Sequence, residues 1–216
     1  MNEKIFKAYD IRGLYGEQLD EDAAWKIGHA SAQFLRSLLQ GYDRGQENAQ
    51  SVVVGYDMRT HSPSLVKSLI DGMTGSGANV INVGMIDTPQ IYFAVNYLGT
   101  CGGVQTTASH NSAPYNGFKI CGLKARPIGS DTGLKEIQHI ATSLRHTASA
   151  GKGKVTEVDL YEPYKAHVLQ FLTSELKRVK IVVDCSNGMA GKSVPKIFGD
   201  LDIDLILLNT ETNGSF

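Results

Sequence analysis

The chain has 216 residues, a formal net charge of −1 at neutral pH and a hydrophobic fraction of 42%. This length exceeds that of an average domain, so it predicts one domain followed by part of a second. The composition is typical of a soluble globular protein, and the small net charge gives no reason to expect a nucleic acid or a membrane as a partner. No apolar run is long enough to span a bilayer, and no signal-peptide core stands at the start.

Three cysteines are spread widely along the chain, at Cys101, Cys121 and Cys185. An odd number without close spacing argues against a disulfide framework and against a zinc site. Such a set suits a reducing compartment, and we therefore expect a cytoplasmic protein.

Short apolar runs alternate with helical patterns from the start of the chain. Residues 4–9 predict a strand that ends in a polar turn at 10–13. Apolar residues then recur at helical spacing over residues 24–38, with Asp20 placed to cap the helix. An exposed loop is predicted over residues 45–50.

The same alternation continues through the next fifty residues. Ser62 and Pro63 predict the cap and first turn of a second helix, and Pro89 opens a third that runs to about residue 98. The remaining strands are predicted over residues 51–55, 80–83 and 101–105. The order βαβαβαβ is typical of an α/β domain, in which ligands bind at the carboxyl ends of the strands.

The composition changes near residues 148–154, where small residues and lysines predict a surface connection. We therefore expect one domain over residues 1–147 and the start of a second over 148–216. Beyond the connection, helices are predicted over residues 160–172 and 188–198, and strands over 179–184 and 203–208. Two strands and two helices are too few for an independent core, so we expect the second domain to be incomplete.

The densest polar segment of the chain follows the fourth strand. It reads Thr-Ala-Ser-His-Asn at residues 107–111, and Lys119 lies ten residues after Ser109. Hydroxyls and backbone N–H groups can accept the oxygens of a phosphoryl group, and a lysine can offset their charge. The alternative is an ordinary polar loop with capping hydroxyls, but the density of polar groups at a strand end favours the phosphoryl site.

Three further segments each allow two interpretations. Arg12, on a turn, either reaches a phosphoryl group or forms a surface ion pair with an aspartate. Asp57 and Arg59 either orient the serine loop or form an ordinary ion pair. A turn at residues 184–188 either binds an anion or is structural, and the structural interpretation is favoured.

Four motifs together point to a known family. The chain reads Thr-Ala-Ser-His-Asn at 107–111, Tyr-Asn-Gly-Phe-Lys at 115–119, Tyr-Asp-Ile-Arg-Gly at 9–13 and Gly-Tyr-Asp-Met-Arg at 55–59. In this combination it resembles the α-D-phosphohexomutases, and within them the phosphomannomutase/phosphoglucomutase branch. The resemblance implies an amino-terminal portion of a four-domain enzyme. It also implies a three-layer α/β/α domain on a mixed sheet, followed by an incomplete second domain of the same kind.

The resemblance implies a phosphotransferase that interconverts hexose 1-phosphates and 6-phosphates of mannose or glucose. The reaction would pass through a hexose 1,6-bisphosphate, which is also the activator. Ser109 would carry the phosphoryl group, and its phosphate would ligate Mg²⁺. The partners would be the hexose phosphate and the remaining domains of the same polypeptide.

The resemblance also assigns roles to residues of the matching motifs. It implies that the catalytic residues are Ser109, His110, Lys119 and Arg12. It implies that the substrate is bound by Tyr9, Arg12, His110 and Lys119. Structural support for the loop would come from Asn111, Arg59 and Asp57.

The sequence departs from the family pattern in two ways. Ser112 and Ala113 stand before Pro114, where the family has proline directly after the motif asparagine. The Asp-Gly-Asp-x-Asp-Arg loop that binds Mg²⁺ in the family is absent, as are the loops of its third and fourth domains. We therefore expect the 216-residue portion to be inactive alone.

Three alternatives stay open. One is a phosphoglucosamine mutase, although those enzymes place aspartate where Tyr115 stands here. Another is a non-catalytic module that binds sugar phosphates. The third, a serine hydrolase, is disfavoured because His110 directly follows Ser109, which makes a hydrogen bond from base to nucleophile awkward, and because no Gly-x-Ser-x-Gly elbow is present.

Overall fold

The computed structural model describes residues 1–40, 47–145, 153–174, 176 and 178–215. The predicted loop at 45–50 lies partly outside these residues, and its described part, 47–50, is a turn. In chain order the elements are β1 (Ile11–Leu14), α1 (Glu21–Ser37), β2 (Val52–Tyr56), α2 (Ser62–Gly75), β3 (Val80–Met85), α3 (Thr88–Leu98), β4 (Gly102–Thr106), β5 (Tyr115–Cys121), α4 (Lys135–Ser143), β6 (Val155–Glu157), α5 (Tyr161–Leu169), β7 (Lys180–Asp184), α6 (Ala190–Phe198) and β8 (Asp204–Leu208).

Six strands form the main sheet, in the order β1-β5-β4-β2-β3-β6. The strands β2, β3, β4 and β6 run parallel, whereas β5 pairs antiparallel with both β1 and β4. The strands β7 and β8 form a separate parallel pair. The expected α/β architecture on a mixed sheet is therefore confirmed. No helix in the described ranges is long and apolar enough to cross a membrane.

Helices cover both faces of the main sheet. Val52 and Val54 of β2 are buried in an apolar cluster with α1, α2 and α4, whereas Val53 is buried in a second cluster with α3. Successive side chains of a strand point to opposite faces of the sheet. The continuous apolar run of β2 is thus what a central strand between two helical layers requires.

The prediction of a strand over residues 4–9 is wrong. The side chain of Asn2 accepts a hydrogen bond from the Lys4 N–H, which caps a single 3-10 turn at Glu3–Ile5. The strand β1 lies instead in the segment for which the sequence predicts a turn, and it pairs with β5. Ile11 supplies the buried side chain of that pairing, whereas Ile5 reaches the same core from the preceding turn.

Besides β1, three elements escape the sequence analysis: β5, α4 and β6. In β5, Phe118 and Ile120 are buried on one face, but the polar residues of the motif between them conceal the alternation. All three residues of β6 are exposed, and the strand is identified only by its pairing with the edge strand β3. It follows the expected boundary at 147/148, which lies outside the described residues and stays a prediction.

The smaller sheet docks onto the main one through polar contacts of α6. Ser193 Oγ donates to Asp87 Oδ2 at 2.7 Å and accepts from Gln90 Nε2 at 3.5 Å. Lys192 Nζ donates to the carbonyl oxygen of Met85 at 2.6 Å. Asp87 also caps α3 by accepting from the Gln90 N–H. The start of α6 is therefore held beside the carboxyl end of β3.

The helices α1 and α2 touch through two glycines. A Cβ atom on Gly28 would lie 2.1 Å from the carbonyl oxygen of Leu69, and one on Gly72 would lie 2.0 Å from that of Trp25. Real atoms do not approach so closely, so only glycine allows the two backbones to meet here.

We expect Gly72→Ala to lower the free energy of unfolding by about 2 kcal/mol or more, because the added methyl group forces the helices apart. Denaturant titration measures the change. Gly75→Ala is the matched control on the same helix, since its Cβ would meet its nearest neighbour at 3.6 Å. Alanine favours helix over glycine, so the control is expected to be neutral or stabilising. Equal losses in both variants would contradict the close crossing.

All three cysteines are free and buried. The Cys101 thiol donates to the carbonyl oxygen of Ser51, and the Cys121 thiol donates to that of Gly103. Burial raises the pKa of both thiols to about 12. Because the thiolate is the reactive form, both side chains are protected from alkylation at neutral pH.

We expect iodoacetamide at pH 8 to leave Cys101 and Cys121 unmodified in the folded protein and to modify both after denaturation. Peptide mapping by mass spectrometry distinguishes the two positions. Rapid labelling of either thiol in the folded protein would show that its raised pKa is wrong.

Candidate phosphoserine site

The loop that carries Ser109 leaves the sheet between β4 and β5. The Thr107 N–H donates to the carbonyl oxygen of Gly117 at 2.9 Å, which extends the β4–β5 pairing by one step. Ser109 then adopts a left-handed backbone conformation, with φ of 56°. A positive φ is uncommon outside glycine and often marks a functional site.

A buried arginine holds this loop by binding its backbone carbonyl oxygens. The Arg59 guanidinium donates to four carbonyl oxygens: from Nη1 to Ser112 and Tyr115, both at 3.0 Å, and from Nη2 to Ser109 at 2.9 Å and Asn111 at 2.6 Å. The residue is 1% exposed. Burial lowers the pKa of Arg59, and the charge of Asp57 opposes that effect. Arginine nevertheless stays protonated in proteins, so a cation lies at the centre of the loop.

Asp57 joins the arginine to the loop through its two carboxylate oxygens. Oδ2 lies 3.3 Å from Arg59 Nε and accepts from Thr107 Oγ1 at 2.6 Å. Oδ1 accepts from the Arg59 N–H at 3.0 Å and from Ser62 Oγ at 2.7 Å. The two interpretations of Asp57 and Arg59 are thus not exclusive, since the ion pair forms and also supports the serine loop.

The prediction of Ser62 as a helix cap is wrong. The cap position of α2 is His61, which makes no side-chain capping hydrogen bond, and Ser62 is the first helical residue. The Ser62 hydroxyl is used for Asp57 and accepts from Asn116 Nδ2 at 3.0 Å. The hydroxyl therefore donates to a charged acceptor and accepts from a side-chain amide, instead of accepting from a backbone N–H group of the helix.

The hydroxyl of Ser109 faces outward, next to the exposed ring of His110. Ser109 Oγ lies 3.3 Å from His110 Nδ1. The contact between serine and histidine therefore forms, although the two residues are adjacent in the sequence. Within the described ranges, no carboxylate contacts the His110 ring. A serine hydrolase needs a third group to orient its base, and that arrangement is missing.

Two of the predicted cations lie on neighbouring strands beside the loop. Arg12 of β1 stands opposite Gly117 of β5, and Lys119 lies two residues further along β5. Opposed and alternate residues share one face of a sheet, so both side chains leave the same face. Arg12 also forms an ion pair with Asp10, as one interpretation of the sequence predicts.

The other two predicted residues have different surroundings. Tyr9 is 84% exposed on the segment before β1. Asn111 turns back into its own loop, since its Nδ2 donates to the carbonyl oxygen of Ala108 at 2.8 Å. Asn111 therefore closes the loop, whereas Tyr9 is open to contact from solution.

A cavity of about 330 Å³ lies beside Ser109, between the loop and the turn before α6. Its lining includes Asp57, Gln105, Thr107, Ser186, Gly188 and Met189. The turn itself is structural, because the N–H groups of Ser186, Asn187 and Gly188 donate to Asp184 Oδ1, the Asn209 carbonyl oxygen and the Cys185 carbonyl oxygen. A larger cavity of about 470 Å³ lies between the end of β3 and α6, away from the predicted site residues.

The residues present do not by themselves fit a Mg²⁺ ion. The described part of the chain holds no cluster of three or more His, Cys, Asp or Glu side chains placed for a metal. The two carboxylates on the cavity, Asp57 and Asp87, are occupied by hydrogen bonds. Further ligands would have to come from outside these residues.

A family model described as "Phosphoglucomutase/phosphomannomutase, alpha/beta/alpha domain I" matches residues 3–148. The chain belongs to the phosphoglucomutase/phosphomannomutase family. It is 38% identical over 217 residues to the phosphomannomutase of Vibrio cholerae, covering 98% of this chain and 45% of that protein. It is 39% identical over 214 residues to a Xanthomonas campestris protein named "Phosphohexose mutases", with coverage of 98% and 45%.

A solved structure shows the same fold in this family. The phosphoglucomutase/phosphomannomutase family protein of Burkholderia thailandensis matches with a TM-score of 0.84 and 34% identity, over 100% of this chain and 46% of that one. The chain thus spans less than half of the length of these phosphoglucomutase/phosphomannomutase relatives.

The sequence analysis missed the structural roles of three residues of the site. Thr107 links Asp57 to Ser109, and Ser62 and Asn116 hold Asp57 from the other side. All three are buried polar side chains. Their signal is weak because a serine before proline predicts a helix cap, and an asparagine before glycine predicts a turn. The hydrogen bonds of Thr107 to Asp57 and of Asn116 to Ser62 join residues far apart in the sequence, so no local pattern reveals them.

We expect Arg59→Lys to lower the free energy of unfolding by about 3 kcal/mol or more, because an ammonium cannot satisfy four carbonyl oxygens and a carboxylate from one plane. Arg126→Lys is the control, since Arg126 is exposed, and its effect is expected within about 0.5 kcal/mol. Denaturant titration compares the two. Equal effects would show that the four hydrogen bonds of Arg59 add nothing to stability.

Proposed function

We propose that the protein containing this chain is a phosphohexomutase, which interconverts the 1-phosphate and 6-phosphate of mannose or glucose through Ser109. The observation that carries the proposal is the serine loop. The hydroxyl of Ser109 is exposed, its backbone is left-handed, and the buried cation of Arg59 holds the loop. The family supports the same reaction class.

The reaction has two phosphoryl transfers. In the first, the bond between phosphorus and Ser109 Oγ breaks, a bond from phosphorus to a sugar hydroxyl oxygen forms, and the hydroxyl proton passes to a base. The sugar then carries two phosphates and turns over in the site. In the second transfer, the bond from the other phosphorus to its sugar oxygen breaks and a bond from that phosphorus to Ser109 Oγ forms. The proton held by the base passes to the released sugar oxygen, and the product leaves.

The charged groups around the loop suit this exchange. Arg12 and Lys119 leave the same face of the sheet and would offset the charge of the phosphoryl oxygens. His110 lies beside Ser109 Oγ and would hold or move a proton there. Tyr9, exposed before β1, would contact the sugar.

The proposal includes partners beyond this chain. The phosphate on Ser109 would ligate Mg²⁺, which would offset the charge of the phosphate. Other domains of the polypeptide would supply the remaining ligands of the metal ion. Hexose 1,6-bisphosphate would serve as intermediate and activator. The three free cysteines suit a reducing cytoplasm.

We expect Ser109→Ala in the complete protein to lower mutase activity by about 10³-fold or more, because the atom that carries the phosphoryl group is removed. A coupled assay with mannose 1-phosphate and glucose 1-phosphate measures turnover, and peptide mapping tests for phosphate on Ser109. The control is Ser143→Ala, an exposed serine of α4.

Each outcome distinguishes the candidates. Turnover that survives Ser109→Ala would contradict the proposed role of the serine. Firm binding of glucose 1,6-bisphosphate by the unsubstituted protein without turnover would favour a binding module. Activity with glucosamine 1-phosphate alone would favour a phosphoglucosamine mutase.

A further inference from the structure

A single buried hydroxyl links the carboxylate of Asp57 to the backbone of Ser109. Thr107 is 6% exposed, and its Oγ1 donates to Asp57 Oδ2 at 2.6 Å. The same oxygen accepts from the Ser109 N–H at 3.0 Å. Because the hydroxyl both donates and accepts, it transmits the fixed position of Asp57 to a backbone atom two residues away.

The two sides of Ser109 are therefore held by the same ion pair. Its N–H is bound through Thr107 to Asp57, and its carbonyl oxygen accepts from Arg59 Nη2 at 2.9 Å. These two anchors flank the residue whose φ is 56°. A serine has no intrinsic preference for that conformation, so the surroundings must impose it.

The carboxylate at the base of this chain of hydrogen bonds is itself fixed. Asp57 Oδ1 accepts from Ser62 Oγ, which accepts in turn from Asn116 Nδ2. Asn116 Oδ1 accepts from the Gly117 N–H at 2.8 Å, and Gly117 lies on the strand opposite Arg12. The chain of contacts thus relates the serine loop to the strands that carry Arg12 and Lys119.

We propose that Thr107 is a positioning residue, which holds Ser109 in its left-handed conformation and so aims Ser109 Oγ for phosphoryl transfer. This inference rests on the proposed function. It does not require Thr107 to touch the substrate, because its hydroxyl is already occupied on both sides. The requirement is for a hydroxyl at this position, whichever residue supplies it.

Three substitutions in the complete protein test the role. Thr107→Val keeps the shape of the side chain and removes both hydrogen bonds, whereas Thr107→Ser keeps the hydroxyl. Thr106→Val is the matched control, because the neighbouring Thr106 is also fully buried and its Oγ1 finds no hydrogen-bond partner among the described residues. The control therefore removes a hydroxyl that holds nothing.

We expect Thr107→Val to lower kcat by about 10²-fold, since a small misplacement of a reacting group costs about that much. KM should change by less than about threefold, because substrate binding is not altered. Thr107→Ser should restore kcat to within about fivefold of the unsubstituted protein, and Thr106→Val should leave it unchanged. A crystal structure of Thr107→Val should show Ser109 at negative φ.

Three results would each overturn the inference. The first is a Thr107→Val protein that retains Ser109 at positive φ, and the second is a Thr107→Val enzyme with unchanged kcat. The third is a Thr106→Val enzyme whose kcat falls as strongly as that of Thr107→Val, because the effect would then belong to strand packing. Failure of the proposed function appears separately, as absence of turnover in the unsubstituted protein, and the crystal structures then decide whether Thr107 sets the conformation of Ser109.

Discussion

The geometry of the serine loop depends on one buried charge, the guanidinium of Arg59. Removing an ion from water costs several kcal/mol unless every donor is satisfied. Four carbonyl oxygens accept hydrogen bonds from the guanidinium, and the Asp57 carboxylate lies 3.3 Å from its Nε. All four carbonyls belong to the loop and the first residue of β5. If the loop left its position, the guanidinium would lose these carbonyl acceptors, so the buried charge favours the closed loop.

The mixed sheet brings the parts of the site together. In a purely parallel sheet, the loop after β4 would lie only beside the carboxyl ends of the two neighbouring strands. Here β5 returns antiparallel and inserts between β4 and β1, which places Gly117 next to Thr107 on one side and Arg12 on the other. The loop and the strand-borne cations are therefore neighbours because of the direction of one strand.

The sequence predicts the repeating part of the fold well and the exceptional part poorly. The helices α1 and α3 begin beside Asp20 and Pro89 as expected, because an aspartate cap and a proline in the first turn act locally. The strands β1 and β5 escape prediction because they carry the site motifs, whose polar residues interrupt the alternation. The prediction of Ser62 as a helix cap fails for a related reason, since its hydroxyl donates to Asp57 and accepts from the distant Asn116. Motif matching identifies Arg59 and Asp57, but the four carbonyl oxygens on the arginine depend on tertiary packing that no local pattern encodes.

The polar docking of α6 sets an orientation as well as a distance. Apolar surfaces can slide over one another at little cost, whereas hydrogen bonds weaken steeply when their angles change. Ser193 and Lys192 bond to atoms at the end of β3 and the start of α3, two points that the main sheet keeps immobile. These two contacts thereby fix the orientation of the smaller sheet relative to the larger one. The turn before α6, which lines the cavity beside Ser109, is consequently held next to the serine loop.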